Sequence, residues 1–365
     1  SANRNSEQAV KFVFVKLPKI FRVFYSATWR GYPYYFLWQI AAYLKAKKLC
    51  RKIHFDVVHH VSYANSWLPV WFGLLPVPFL WNRGVRCTVP WRALRYFSWR
   101  SKAVEALRNL SVLAGSAVTD RLTTRRAAAI TTLDPIAVEP EGCPVLRSGC
   151  GGLSQEELSV LLELPVRTGR LVRMATIGRL EDWKGQQFGL RAFARLLEDY
   201  PECEYWLVGD GPERTELKQL AKKLHCADRV RFIGQVPRSR VLSLLSEIDI
   251  LVHPSLREAF GLAVLEAMAA GRPVVCLDLG ALPELVGEAG IIVPASPWET
   301  LADRLCSALR VLVQDSDLRR RLGRIARQRA EAFSWDRQVH DLSALYRHLI
   351  ETNGTVCNEL FEPRR

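Results

Sequence analysis

The stretch His253-Pro-Ser-Leu-Arg-Glu258-Ala-Phe260-Gly261-Leu262-Ala-Val-Leu-Glu266-Ala-Met-Ala-Ala-Gly271 decides how the chain is read. Ahead of it, Ile248-Asp-Ile-Leu-Val252 is a short apolar run of strand type. Behind it, an apolar segment with few breakers predicts a helix that Gly271-Arg272-Pro273 stops. A strand therefore ends in a polar loop that opens a helix, the kind of junction at which open α/β sheets bind ligands. The N–H groups of Phe260, Gly261 and Leu262 would be free at that helix start, where the macrodipole favours an anion such as a diphosphate. Gly261 lets a ligand approach the backbone closely. Glu258 and Glu266 are separated by about two helical turns if the helix begins early, so both are expected beside one ligand. Two glutamates taken alone are more simply surface carboxylates of an amphipathic helix; the segments on either side decide against that.

From about residue 166 onward, strands and helices alternate as in a doubly wound parallel sheet. Leu171–Ile177 reads as a strand, Gly178-Arg179-Leu-Glu-Asp-Trp-Lys184-Gly185 as its loop and 186–199 as a helix. Arg179, as a planar fork, and Lys184, as a movable point charge, are cations suited to the oxygens of an anionic ligand at this strand end. Tyr205–Val208 is the next strand, closed by Gly209-Asp210-Gly211-Pro212. Val230–Val236, with Ile233-Gly234 at its turn, is another, followed by a helix over 238–246. Beyond Gly271 come strands at Pro273–Leu277 and Gly290–Pro294, a glycine turn at Asp278-Leu-Gly280-Ala281, and helices over 297–314 and 316–332.

Glu258-x7-Glu266 enclosing Phe260-Gly261-Leu262 resembles the signature of nucleotide-sugar glycosyltransferases of the GT-B fold, retaining family 4. Gly178-Arg179-Leu with Lys184-Gly185, and the turn Gly209-Asp-Gly211-Pro212, resemble that family's donor loops. The resemblance covers 171–351 well and 53–132 more weakly. It implies two Rossmann-like doubly wound domains facing across a cleft. Residues 1–165 would be the acceptor side and 166–332 the nucleotide-sugar side. Residues 333–351, with Phe333-Ser-Trp335 at their start, would cross back to the first domain, and 352–365 would be a tail. The implied donor set is Gly178, Arg179, Lys184, Gly209, Gly211, Ile233, Gly234, Phe260, Gly261, Leu262 and Glu266. Glu266 would hold the ribose hydroxyls, and backbone groups at 233–234 would lie along the base. Glu258 would hold sugar hydroxyls near the reacting carbon. The family implies no metal and no cofactor beyond the donor itself. It also implies front-face attack, with the departing phosphate oxygen taking the acceptor proton.

The first third departs from that family. Phe55-Asp56-Val-Val-His59-His60 reads as a strand emptying into a loop, where many members carry a donor-facing histidine two places after the first. Here the pair is adjacent and Val61 holds that place, so His59 and His60 are both candidates for the catalytic role. Val10–Val15 alternates as a strand does. Tyr34–Lys48 reads as a helix, either core-facing or, with the basic, aromatic stretch before it, a surface lying on anionic lipid. Asn82-Arg83-Gly84 is expected as a phosphate-facing loop in place of the family's Gly-Pro-x-Gly-Gly stretch. Helical periodicity over 101–129, a strand over 128–132 and an irregular Asp134–Gly152 complete this part. No Gly-Gly loop precedes residue 84, and the first residue is Ser1 rather than Met. A first domain short of one or more β-α units is therefore expected.

At 365 residues and 49% apolar content the chain has room for two cores. Its net charge of +14 is concentrated: residues 11–110 hold 17 Lys and Arg against Asp56 and Glu105. An anionic partner is expected there, such as a glycan-bearing lipid acceptor or an anionic membrane contacted peripherally. Nucleic acid is not expected, since no reader motif is present. Nine scattered cysteines without a C-x-x-C pair argue against a zinc site or a disulfide framework and for a reducing compartment. With no apolar run of spanning length, the expectation is a cytoplasmic protein working at the inner membrane face. The alternative to a transferase is a nucleotide-sugar-binding protein with little turnover, given the altered first domain.

Overall fold

Apolar runs only four or five residues long, alternating with helices, can satisfy their backbones by pairing in parallel through crossovers. The computed structural model, which describes residues 10–24, 31–61, 67–133, 143, 145–147, 151–167, 169 and 171–354, contains two such sheets. In chain order the first domain runs α1 (Gly31–Cys50), β1 (Val58–His60), β2 (Phe79–Asn82), α2 (Trp99–Leu122), β3 (Ala129–Thr131) and β4 (Val145–Leu146). After α3 (Gln155–Leu162) the second domain begins with β5 (Arg173–Ile177), α4 (Gln186–Leu196), β6 (Glu204–Val208), α5 (Arg214–Lys223) and β7 (Val230–Gly234). It continues with α6 (Arg238–Leu244), β8 (Ile250–His253), α7 (Leu262–Ala269), β9 (Val274–Leu277), α8 (Leu282–Val286) and β10 (Gly290–Val293). The chain then forms α9 (Leu301–Gln314), α10 (Ser316–Glu331) and α11 (Trp335–Glu351).

The second sheet is ordered β10-β9-β8-β5-β6-β7, all parallel. Growth proceeds outward from β5 in one direction and then resumes from β8 in the other. The loops after β5 and β8 therefore diverge and leave a crevice at the carboxyl edge. Both faces of this sheet are covered, so its central strands are buried along their length: Met174, Ala175, Ile250, Leu251, Val274 and Val275 are all at 0% exposure. The first sheet is ordered β1-β2-β3-β4, also parallel, and follows the chain without a reversal among the described residues.

Two helices near the domain boundary are placed by their apolar faces. On α3, Leu158 and Leu161 pack with Ile177, Val264 and Phe333 in the core of the second domain. Its start is a capping box between Ser154 and Glu157. Helix α11 returns to the first sheet, where Leu345 and Leu349 pack on Leu80 and Ala129.

Three expectations for the first domain change, and one open choice is decided. Val10–Val15 forms no strand: no described strand lies beside it, and Phe12 and Phe14 stand exposed, stacked on each other. Residues 134–152, expected to be irregular, supply β4, although 134–142, 144 and 148–150 lie outside the described residues, as do 1–9 and 355–365 of the expected tails. Arg83, expected to face a phosphate, is buried beside the Trp81 ring. Helix α1 turns Tyr35, Gln39 and Ala42 inward, the core-facing alternative, and leaves its lysines in solvent.

Helix α2 is inverted in polarity. Its buried side carries Glu105, Asn109, Ser116 and Thr119 beside Val112, while Trp99, Val104, Leu107, Leu110, Leu113 and Val118 are exposed. Asn109 is satisfied there by both the N–H and the C=O of Val89. Polar groups inside and a leucine stripe outside reverse the usual distribution for a surface helix.

Replacing Leu345 with Ala should lower unfolding free energy by about 2–5 kcal/mol, because the α11 contact to β2 and β3 cannot collapse around the void. Urea denaturation of the purified variant measures it.

Candidate active site

The loop after β5 and the loop after β8 meet at the strand-order reversal. Lys184 closes a 3-10 turn, Asp182–Lys184, that follows β5; Glu258 lies in the loop that leads from β8 to α7. Lys184 Nζ stands 2.6 Å from Glu258 Oε2. His253, the last residue of β8 and 2% exposed, brings Nε2 to 2.8 Å from the same oxygen. Burial by itself would raise the Glu258 carboxyl. The hydrogen bond and charge of His253, with the Lys184 ammonium, outweigh it and hold the group down at about 2. Glu258 is thus an ionised carboxylate kept between two cationic or donor groups.

The backbone of this loop is fixed from two sides. A Cβ on Gly280 would come within 2.1 Å of the Glu258 carbonyl oxygen, so only glycine (here at φ +61) allows the contact. The same oxygen accepts from Ala281 N at 3.2 Å and from Cys87 Sγ at 3.2 Å. Next door, Arg257 Nη1 donates to both Glu105 oxygens at 2.7 Å, tying α2 of the first domain to the loop. The Arg257 guanidinium and the Lys184 ammonium lie over the Trp183 ring, at 4.3 and 4.7 Å from its centre. A second tie runs from the N–H and hydroxyl of Ser98 to Asp182 Oδ2 at 3.3 and 3.2 Å.

A cavity of about 550 Å³ opens at the carboxyl ends of β5 and β6 and beside β7, lined by Gly178, Arg179, Gly209, Asp210, Gly211 and Gln235 among others. Gly209 is required where β6 ends, because a Cβ there would sit 2.0 Å from Gly178 O. Its N–H donates to Gly234 O at 2.9 Å; Ile233 and Gly234 themselves do not line the cavity, which β7's end meets at Gln235 and Val236. Four residues of the expected donor set, Gly178, Arg179, Gly209 and Gly211, line this cavity together. Arg179 extends into solvent and pairs with Glu181 at 2.7 Å, so it must leave that partner to grip a diphosphate.

Helix α7 begins at Leu262 with Gly261 as its N-cap at φ +93. Glu258 therefore precedes the helix, and the expected spacing of two helical turns between Glu258 and Glu266 does not hold. The loop, not the helix, presents Glu258. Phe260 is buried against Phe333 and Gly151, anchoring the helix start, while Leu262 is partly exposed. Glu266 is 3% exposed and lies 2.5 Å from Arg238, which also reaches Glu157 at 2.7 Å. Burial raises the Glu266 carboxyl against the opposing pull of Arg238.

His59 and His60 are held elsewhere. His59 Nδ1 lies 2.6 Å from Tyr346 Oη on α11, and His60 Nε2 lies 3.2 Å from Tyr35 Oη on α1. Burial pulls both rings down to about 4, and His60 is lowered further by His59. Both are neutral at pH 7, and their described partners belong to α1 and α11 rather than to the crevice. Sequence reasoning passed over His253, Arg257 and Arg238. The first two were in view within the opening stretch; Arg238 lies 28 positions before Glu266 and no spacing rule joins them. Among the described residues no three His, Cys, Asp or Glu gather as metal ligands. Asp315-Ser-Asp317, an Asp-x-Asp that the sequence does contain, caps α10, with Asp315 Oδ1 accepting from Leu318 N.

Residues 170–329 match the family model described as "Glycosyl transferases group 1". D-inositol 3-phosphate glycosyltransferase of Corynebacterium glutamicum is 33% identical over 214 residues, 56% of this chain and 47% of that protein. The corresponding protein of Corynebacterium jeikeium is 36% identical over 224 residues, 59% of this chain and 52% of that one. The chain spans about half the length of the curated relatives it matches. The solved sucrose-phosphate synthase of Thermosynechococcus elongatus superimposes with a TM-score of 0.58 at 22% identity, covering 87% of this chain and 79% of the other. HepE of Anabaena, solved with UDP, gives 0.56 at 21% identity over 88% and 84%. At these identities the two structures establish a common fold.

The two histidines predict a pH dependence of stability. Their folded values near 4 lie below the ordinary 6.5, so the unfolded chain binds protons first as pH falls. Stability should drop from about pH 6.5 toward pH 4, by the order of 1–3 kcal/mol per ring after allowance for partial exposure. Urea midpoints across that range should flatten in a His59→Phe, His60→Phe double variant.

Proposed function

Because residues 170–329 match the model of glycosyl transferases group 1, we propose that this chain moves a sugar from a nucleoside-diphosphate sugar to an acceptor with retention of configuration. The observation that carries this reading is the meeting of Lys184 and Glu258 at the strand-order reversal, beside a 550 Å³ cavity lined by the glycine turns. The nucleotide occupies the cavity, with its base along the Ile233-Gly234 backbone. Its diphosphate reaches the α7 start and exchanges for Glu258 as the partner of Lys184. Glu258, still held by His253, then accepts hydrogen bonds from hydroxyls of the sugar. Glu266 takes the ribose hydroxyls once Arg238 withdraws toward Glu157.

In the reaction the bond from the anomeric carbon to the phosphate oxygen breaks, and the diphosphate leaves with added negative charge. Lys184 and the free N–H groups of α7 oppose that charge, and this is the work that we assign to side chains and backbone rather than to a metal. The acceptor hydroxyl attacks from the same face and passes its proton to the departing phosphate oxygen. The acceptor enters over the first domain. UDP, bound in the Anabaena structure, is the first nucleotide to test.

Membrane contact is also part of this reading, through α2 rather than residues 16–52. The apolar stripe of Trp99, Val104, Leu107, Leu110 and Leu113 is accompanied by Arg100, Lys102 and Arg121, a composition that matches an anionic bilayer surface. No helix of the described residues is long and apolar enough to cross a membrane.

Calorimetric titration with UDP should give a single site, weakened roughly tenfold or more in Lys184→Ala and in Glu266→Ala, as expected for losing one charge-assisted contact. Failure of UDP, GDP and ADP alike to bind would sink the donor reading; binding without transfer or slow donor hydrolysis would favour the nucleotide-sugar-binding alternative.

For the membrane contact, sedimentation with vesicles of phosphatidylglycerol and phosphatidylcholine should carry the protein down, and L107E with L110E should release it. Equal binding by that variant would place the contact elsewhere.

A further inference from the structure

The amino-terminal edge of the second sheet, opposite the donor loops, holds a cavity of about 290 Å³. Arg167, Asp249, Arg272, Ser316, Arg319 and Arg320 line it. Four guanidinium groups thus face one carboxylate, and that carboxylate is already shared. Asp249 Oδ2 accepts from Arg173 N at 2.8 Å and from Arg167 Nε at 3.2 Å.

Arg272 is 1% exposed. Its Nη2 donates to Pro165 O at 2.5 Å, and among the described residues its Nε has no hydrogen-bond partner. Burial lowers its guanidinium to about 10; Asp249 opposes that, while Arg327 and Arg167 add to it. Among the described residues the hydrogen bonds of Arg319 go to the carbonyls of Leu312 and Val313; burial lowers its guanidinium, with Asp249 and Asp315 opposing and Arg320 adding to the fall. Arg320 pairs with the exposed Asp317. Ser316 is the first residue of the 16-residue helix α10, whose start is capped by Asp315 and carries Asp317 in its first turn. Buried cations without an ion-pair partner are costly, and among the described residues Arg272 and Arg319 make no salt bridge.

We propose that this cavity binds a phosphate-class oxyanion, either inorganic phosphate or the phosphoryl group of a small metabolite, at a site separate from the donor crevice. Guanidinium forks match the edges of a tetrahedral oxyanion. The volume admits a phosphate or a compact phosphomonoester, whereas the larger cavity on the other edge suits a nucleotide. The anion takes the place beside Arg272 and Arg319 that Asp249 cannot fill. This site does not depend on the reading of the donor crevice, since none of its residues belongs to that crevice.

The test is calorimetric titration of the whole chain, saturated with UDP, with inorganic phosphate and separately with glucose 1-phosphate, at constant ionic strength set by chloride. The expected result is one saturable site that UDP leaves intact. It should weaken roughly tenfold or more in R167A with R319A. Tighter binding of glucose 1-phosphate than of phosphate would identify a phosphorylated metabolite as the source, and the reverse order would identify the free ion. Arg320→Ala, on an exposed side chain, serves if the double variant does not fold, and should weaken binding in the same direction. Loss of the signal when UDP is present, undiminished binding in the variants, or no saturation at all would each overturn the proposal.

Discussion

Between β5 and β8 the second sheet stops growing in one direction and starts in the other, and everything at the candidate site follows from that reversal. Parallel strands send their loops to one edge, and only where the order reverses do two neighbouring loops part enough to admit a ligand. Lys184 and Glu258 are 74 residues apart in the chain, yet the reversal puts them in hydrogen-bond contact. His253 is part of the strand itself, so it is placed with the rigidity of the sheet. The glycine turns after β5 and β6 then lie close enough that one backbone contacts the other without a Cβ between them.

Charge is arranged around this crevice in linked pairs. Glu258 is ionised because two donors outweigh its burial, and Lys184 is held because Glu258 is ionised. Beyond them, Arg257 reaches Glu105 on α2, and Asp182 takes the hydrogen bonds of Ser98. The donor loops are therefore joined to the first domain by side chains adjacent to the site residues rather than by the site residues themselves. Movement of α2 relative to the second sheet would be felt at Arg257, one residue from Glu258. Helix α2 also carries the exposed apolar stripe, so whatever covers that stripe bears on the same lever.

The two edges of the second sheet contrast. At the carboxyl edge cations and carboxylates balance closely, and the space between them suits a ligand that replaces one partner. At the amino edge guanidinium groups exceed the carboxylates that line the cavity, and among the described residues Arg272 and Arg319 are hydrogen-bonded to carbonyls, with Asp249 acting on both only through its charge. A single doubly wound sheet thus carries paired charges at one edge and a surplus of guanidinium groups at the other.

Much of the second domain was legible from its residues. Alternating apolar runs and helices, with glycines at the turns, specify a doubly wound sheet because local period and turn chemistry both point the same way. The glycines that line the cavity beyond β5 and β6 could be named because strand ends and tight turns leave a pattern in the chain. The first domain was less legible: Val10–Val15 has the alternation of a strand, but a strand exists only if another lies beside it, and alternation carries no information about a neighbour. His59 and His60 were singled out by position, and their hydrogen-bond partners, Tyr346 and Tyr35, lie on helices distant in the chain. By itself the sequence determined the family resemblance, the order of elements and the backbone turns, since these rest on contacts within a few residues. Only the tertiary structure decided which charges pair, that Glu258 lies outside the helix, that α2 turns its leucines outward and that four arginines share one cavity. Those facts depend on which distant segments the packing brings within a few ångströms, and no local pattern encodes that.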